Sequence, residues 1–129
     1  MRGVIIKKSI VVSEDERRRL IEIQNGQING KNIKILEVKE ESYLGGTSGH
    51  WHQYPEIMYI LKGKCWDYVM ENIDTGEKET FEFNEGDIVF RSPRIIHGGM
   101  FEKGSIVLDI AEDTYISGNY NDIPRKVEE

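Results

Sequence analysis

The feature that most restricts this chain is its rhythm: short apolar runs recur along it, separated by turn residues, with hardly any helical periodicity. Residues 4 to 12, 19 to 24 and 32 to 39 are rich in Ile, Val and Leu, and Ile33, Lys34 and Ile35 alternate with the two-residue period of a strand. Asn25-Gly26 and Asn29-Gly30 read as tight turns, because Asn and Gly tolerate the positive φ that hairpins require. Ser13 to Arg19 reads as a turn or one short helix, with Ser13 as a cap, since its pattern stops too soon for a longer one. From Glu56 the chain reads as a meander over 56 to 62, 64 to 72, 78 to 84 and 87 to 91, followed by a last strand over 105 to 111. Trp66, Tyr68 and Met70 are expected on one face, as are Phe81 and Phe83, so that facing sheets share a core. The pattern predicts an all-β antiparallel sandwich or barrel, with a jelly roll as the leading form.

Length and charge narrow the partners. A chain of 129 residues has room for one hydrophobic core, so a single domain over 1–129 is expected, with N-terminal strands to 39, a barrel over 40–111 and a polar tail over 112–129. A formal charge of −6 opposes binding to nucleic acid or to an anionic membrane surface. The lone Cys65 cannot form an internal disulfide and reads as a core residue, which makes a reducing cytoplasm the expected location. No apolar run approaches the roughly 20 residues needed to cross a bilayer as a helix.

The chemistry concentrates on three histidines. His50 and His52 stand two apart, which puts both imidazoles on the same side of an extended segment. Pro55 breaks that segment, so Glu56 can open the next strand and face the same cavity. His97 follows Pro93 at the end of a further strand. Three imidazole nitrogens and a carboxylate suit a divalent metal (Fe, Mn, Ni, Co or Zn) with room left for water or substrate. Arg91 and Arg94 flank Pro93 and are candidates to hold a diphosphate, while Tyr54, Tyr59, Trp51 and Trp66 are candidates to stack on a sugar or base. Asp109, on an otherwise apolar strand, would need a partner if buried.

These residues carry a resemblance. The Gly-rich stretch Gly45 to Gly49, followed by His50-x-His52-x3-Glu56-x6-Gly63, resembles the first motif of the cupin superfamily, and Gly86-Asp87 leading through Pro93 to His97 resembles the second. The second motif departs from the family in having its proline one residue late, Ile95 at the usual glycine and Phe101 at the usual asparagine. The resemblance implies a cupin double-stranded β-helix, or jelly-roll barrel, with His50, His52, Glu56 and His97 as metal ligands. Glu14 to Ile23 and the stretch from Val107 to Tyr120 also resemble the cupin-fold sugar-nucleotide epimerases and 3,4-ketoisomerases acting on dTDP-4-keto-6-deoxyglucose. In that group the pair matching His50 and His52 serves as acid and base without metal; Glu56 and His97 are where this sequence departs from it. The expected protein is a small metal-binding cupin that isomerises or epimerises a keto-sugar nucleotide or similar carbonyl compound, with Arg91, Tyr59 and Trp66 touching the substrate. A metal-dependent dioxygenase and a non-catalytic binding protein are the alternatives. A homodimer is expected, because small jelly rolls leave apolar faces and edges that a second copy can cover.

Overall fold

The structure is a computed structural model that describes residues 1–45 and 50–113. Eleven strands form among them: β1 (Val4–Lys8), β2 (Ile10–Glu14), β3 (Arg19–Glu22), β4 (Asn32–Glu37), β5 (Ser42–Leu44), β6 (Glu56–Lys62), β7 (Lys64–Asn72), β8 (Lys78–Asn84), β9 (Asp87–Arg91), β10 (Ile95–Phe101) and β11 (Ile106–Ala111). Two antiparallel sheets dominate, one in the order β1-β9-β6-β11-β4 and one in the order β5-β10-β7-β8, with β2 and β3 paired apart from them. This is the cupin jelly roll that the strand rhythm and the motifs predicted. No helix of the described residues is long and apolar enough to cross a membrane.

The core lies between the two sheets. Met58, Ile60, Val89 and Val107 point inward from the first, and Cys65, Tyr68, Met70, Phe83, Ile95 and Phe101 meet them from the second. The hairpin from β6 to β7 is closed by Gly63, whose φ of +86° and close approach to Ser105 leave no space for a side chain. Ser105 Oγ accepts from Lys64 N at 3.2 Å, tying that turn to the start of β11.

Three local expectations change, and one left open between two readings is decided. Trp66 does not share a face with Tyr68 and Met70: a bulge between Cys65 and Tyr68, with Asp67 at a φ of +49°, turns Cys65 and Tyr68 both inward and leaves Trp66 outside. Of the two readings left open for Ser13 to Arg19, the turn is the one that forms, with Asp15 Oδ1 accepting from Arg17 N at 2.8 Å and Arg18 N at 3.2 Å. Asn25-Gly26 and Asn29-Gly30 do not join paired strands, since β3 pairs with β2 and β4 with β11. They shape instead a connection that lays Ile28 on the outer face of the first sheet. The left-handed position before β10 belongs to Arg94, with a φ of +66°, while Ile95 is an ordinary buried strand residue.

Candidate functional site

The histidine segment is fixed by its backbone. His50 N donates to His97 O at 3.1 Å and His97 N to His50 O at 2.8 Å, an isolated antiparallel bridge. Two residues on, Arg94 N donates to His52 O at 2.9 Å. His50 and His52 therefore lie in a bridged extended segment outside the named strands, and His97 lies in the middle of β10. Alternation does the rest. The ring centroids are 5.0 Å apart for His50 and His52, 4.6 Å for His50 and His97, and 5.5 Å for His52 and His97.

Glu56, at the start of β6, reaches the same point: its Oε1 is 3.5 Å from His52 Nε2 and 3.9 Å from His97 Nε2. That carboxylate also has a cationic partner. Arg91, in β9 and directly across the ladder from Glu56, donates from Nη2 to Glu56 Oε1 at 3.0 Å and from Nη1 to Tyr68 Oη at 2.9 Å. Both members of the pair are almost wholly buried, so each depends on the other to offset its lost hydration. Asp109 of β11 also approaches the guanidinium, with Oδ1 4.0 Å from the same Nη2.

These groups line a cavity of about 230 Å³. Leu36, Leu44, Phe101 and Val107 supply its apolar walls, Lys34 stands at its margin, and His50, His97, Tyr68, Arg91 and Asp109 supply the polar ones. Burial, reinforced by neighbouring positive charge, keeps the imidazoles unprotonated: His50 is pushed down to about 4 by desolvation and then His52, Arg91 and Lys34. His52 is pushed down to about 3 by desolvation, Arg91 and Lys34. Desolvation and Arg91 likewise hold His97 well below the usual range. Desolvation and Glu56 raise Asp109 to about 6.

The tautomer of His97 follows from its neighbour. Its Nδ1 is 3.0 Å from Ile95 O, an acceptor only, so Nδ1 carries the proton and Nε2 offers a lone pair beside Glu56. A backbone carbonyl orienting an imidazole in this way is also how metal-binding histidines are held. One nitrogen from each of the three rings lies within 4.8 Å of the others. With all three imidazoles unprotonated, the set fits a divalent ion. Glu56 stands alongside as a fourth donor, an oxygen, already shared with Arg91.

The sequence-predicted residues divide. His50, His52, Glu56 and His97 are brought together, and Arg91 joins them at the cavity. Arg91 is committed to Glu56 and Tyr68, not displayed toward a diphosphate. Tyr59 is not at the cavity: odd positions of β6 point outward, and it packs with Ile57, Ile88 and Ile110 on the outer face. Trp66 lies in an outer groove with Glu41, Lys64 and Asp67, because the β7 bulge turns it away. Tyr54 stacks on His52 at 5.1 Å between centroids. The Arg94 guanidinium lies 5.2 Å from the Trp51 ring and donates from Nε to Asp74 Oδ1 at 3.0 Å. Gly46 to Gly49 and the tail beyond Asp113, which carry the Gly-rich loop and most of the C-terminal likeness, lie outside the described residues. Sequence reading missed Tyr68 as a cavity residue, since an aromatic in a strand signals only core, and missed Lys34.

No protein-family model matches the sequence, and no curated protein matches it by sequence. The fold has solved counterparts. The TDP-fucose-3,4-ketoisomerase WlaRA from Campylobacter jejuni superposes with a TM-score of 0.75 at 17% identity, covering 92% of this chain and 87% of that one. A mutant of the 3,4-ketoisomerase QdtA from Thermoanaerobacterium thermosaccharolyticum, in complex with TDP-4-keto-6-deoxyglucose, gives 0.71 at 17% identity and covers 93% and 87%. The rmlC epimerase of Mycobacterium tuberculosis gives 0.75 at 12% identity, covering 95% of this chain and 69% of its own. The architecture is thus the RmlC-like form of the cupin jelly roll.

Proposed function

We propose that this chain is an isomerase or epimerase of a keto-sugar nucleotide, working by proton transfer at the carbon beside the ketone. The observation that carries the reading is a cluster of three unprotonated imidazoles, His52 and His97 buried and His50 half-buried, beside a cavity that also contains a guanidinium. The solved counterparts that share the fold bear names of sugar-nucleotide ketoisomerases and an epimerase, which supports the choice of substrate class.

A neutral imidazole of His50 or His52 takes the proton from the ring carbon next to the ketone. The C–H electron pair becomes a carbon–carbon double bond, and the carbonyl pair moves onto oxygen. The positive charges of Arg91 and Lys34 offset that developing negative charge in a site of low dielectric. Returning the proton to the same carbon from the opposite face inverts it. Passing the neighbouring hydroxyl's proton to the enolate oxygen, and returning the abstracted proton to the former carbonyl carbon, moves the ketone by one position. His97, with Nε2 as an acceptor, orients a substrate hydroxyl but does not donate from that atom. A divalent ion held by His50, His52 and His97, with Glu56 alongside, would supply polarisation of the carbonyl oxygen.

The proposal includes a homodimer and a cytoplasmic location. Burial pushes the Cys65 thiol up to about 12, which suits an inert core residue, and the outer face of the first sheet leaves Ile33 and Ile35 more than half exposed. The test is incubation with TDP-4-keto-6-deoxyglucose in deuterated water, following exchange and migration of ring protons by NMR. His50→Asn and His52→Asn are each expected to slow exchange by about 10²–10⁴-fold. Metal content and activity after chelation, measured together, determine whether the imidazoles suffice. A wild-type protein that exchanges no ring proton refutes the reading.

A further inference from the structure

We infer that Arg91 Nε and Asp109 Oδ1 form a subsite for a hydroxyl group of the ligand. The inference rests on the keto-sugar reading for the identity of the ring and deepens it by naming a polar group, besides the ketone, that the cavity holds. Arg91 is 4% exposed, and two of its three nitrogens are used on Glu56 and Tyr68. Its Nε is buried with no hydrogen-bond partner among the described residues, and the same is true of Asp109 Oδ1. Both residues line the histidine cavity. The 4.0 Å from Arg91 Nη2 to Asp109 Oδ1 is too long for a direct hydrogen bond, yet close enough for one small group to touch both residues.

Leaving a buried donor and a buried acceptor unmet is costly, so their pairing around one cavity calls for an occupant that serves both. The chemistry of that occupant is restricted. A ketone oxygen only accepts and would leave the carboxylate unmet; an ammonium only donates and would leave the guanidinium unmet. A hydroxyl donates to Asp109 and accepts from Arg91 with a single oxygen. The remaining cavity walls, Leu36, Leu44, Phe101 and Val107, suit the carbon-rich parts of a deoxygenated ring. Across the first sheet, Arg91 is supplied by β9 and Asp109 by β11, the two strands that flank β6. The hydroxyl would therefore sit beside the Glu56 strand, within the same chamber as the imidazoles.

The experiment uses the full chain and free 6-deoxyglucose, with binding read by saturation-transfer NMR and affinity by titration. The wild type is expected to bind the sugar. Asp109→Asn, which keeps an acceptor oxygen, should stay within about threefold, whereas Asp109→Leu should bind about tenfold to a hundredfold more weakly. Without ligand, Asp109→Leu should melt at or above the wild-type temperature, because a carboxylate kept for a ligand contributes nothing to the unliganded fold. If Asp109→Leu does not fold, Asp109→Ala carries the same binding expectation. Absence of 6-deoxyglucose binding by the wild type, or unchanged affinity in the leucine or alanine variant, overturns the subsite. A lowered melting temperature with unchanged affinity identifies Asp109 as structural and overturns it too. Turnover of TDP-4-keto-6-deoxyglucose is followed in parallel. Binding that depends on Asp109 without turnover rejects the isomerase reading and keeps the subsite; turnover with binding indifferent to Asp109 does the reverse.

Discussion

The buried imidazoles make stability depend on acidity in a definite direction. Above about pH 6.5 the rings are neutral in both folded and unfolded chains and contribute no pH dependence. Below it the unfolded chain takes up protons that the folded chain refuses, until about pH 4 for His50 and about pH 3 for His52. Stability therefore falls on acidification through this window, by at most about 1.4 kcal/mol per pH unit for each histidine. Asp109 works the other way between its folded value of about 6 and its usual 3.8, where the folded chain holds the extra proton and offsets one histidine. His52→Asn should flatten the decline in melting temperature between about pH 6.5 and 4.5. Parallel curves for the variant and the wild type would contradict the assignment. Most of this constellation is legible in the sequence: the two-residue step from His50 to His52, the break at Pro55 and the return at His97 bring their side chains to one point. The same parity rule excludes Tyr59, three positions from the inward-facing Glu56, from the cavity. Tyr68 and the Arg91–Glu56 pair are not legible, because a strand pattern does not reveal which polar groups meet across a ladder.

Within the elements, the departures from regular pleating do the positioning. The β7 bulge aims Tyr68 inward at Arg91, and β10 carries its own irregularity between Gly98 and Met100. Gly99 is packed against this arrangement: a Cβ there would lie 2.8 Å from Tyr68 Cα and 2.7 Å from its Cδ2. Gly99→Ala should displace Tyr68, weaken its bond to Arg91 and destabilise the fold by roughly 1–3 kcal/mol, read as a lower urea midpoint. An unchanged midpoint would mean that β10 can shift without disturbing β7. Strand positions follow from apolar periodicity because that period is a property of each strand alone. Bulges and left-handed residues do not, since they depend on the partner strand. Arg94 shows the point: its positive φ is held by His52 O on one side and by Ile73 N, which donates to Arg94 O at 3.2 Å, on the other.

At the scale of the molecule, the outer face of the first sheet carries two rows across all five strands. One runs Ile5, Phe90, Ile57, Ile110 and Ile33, and the next runs Lys7, Ile88, Tyr59, Leu108 and Ile35. Ile21 of β3, with Ile23 and Ile28 of the connection that follows, packs against the middle of this face, but Ile5, Ile33 and Ile35 remain 60%, 62% and 66% exposed. The exposed ends of these rows suit the second copy of the proposed homodimer, whereas Tyr59, 4% exposed, is already covered within the chain. Ile33→Lys combined with Ile35→Lys should shift the mass measured by light scattering from dimer toward monomer while leaving the far-ultraviolet spectrum unchanged. A wild-type protein that runs as a monomer at micromolar concentration would reject this interface.

Glu56, Arg91 and Asp109 belong to one sheet, and Tyr68 and His97 to the other. The complete cluster consequently exists only while the two layers are closed on each other, since the three imidazoles travel with the second sheet and the carboxylates and guanidinium with the first. If the proposed proton transfer holds, any loosening that lets them slip would silence it, and turnover would double as an internal gauge of whether the sandwich is shut.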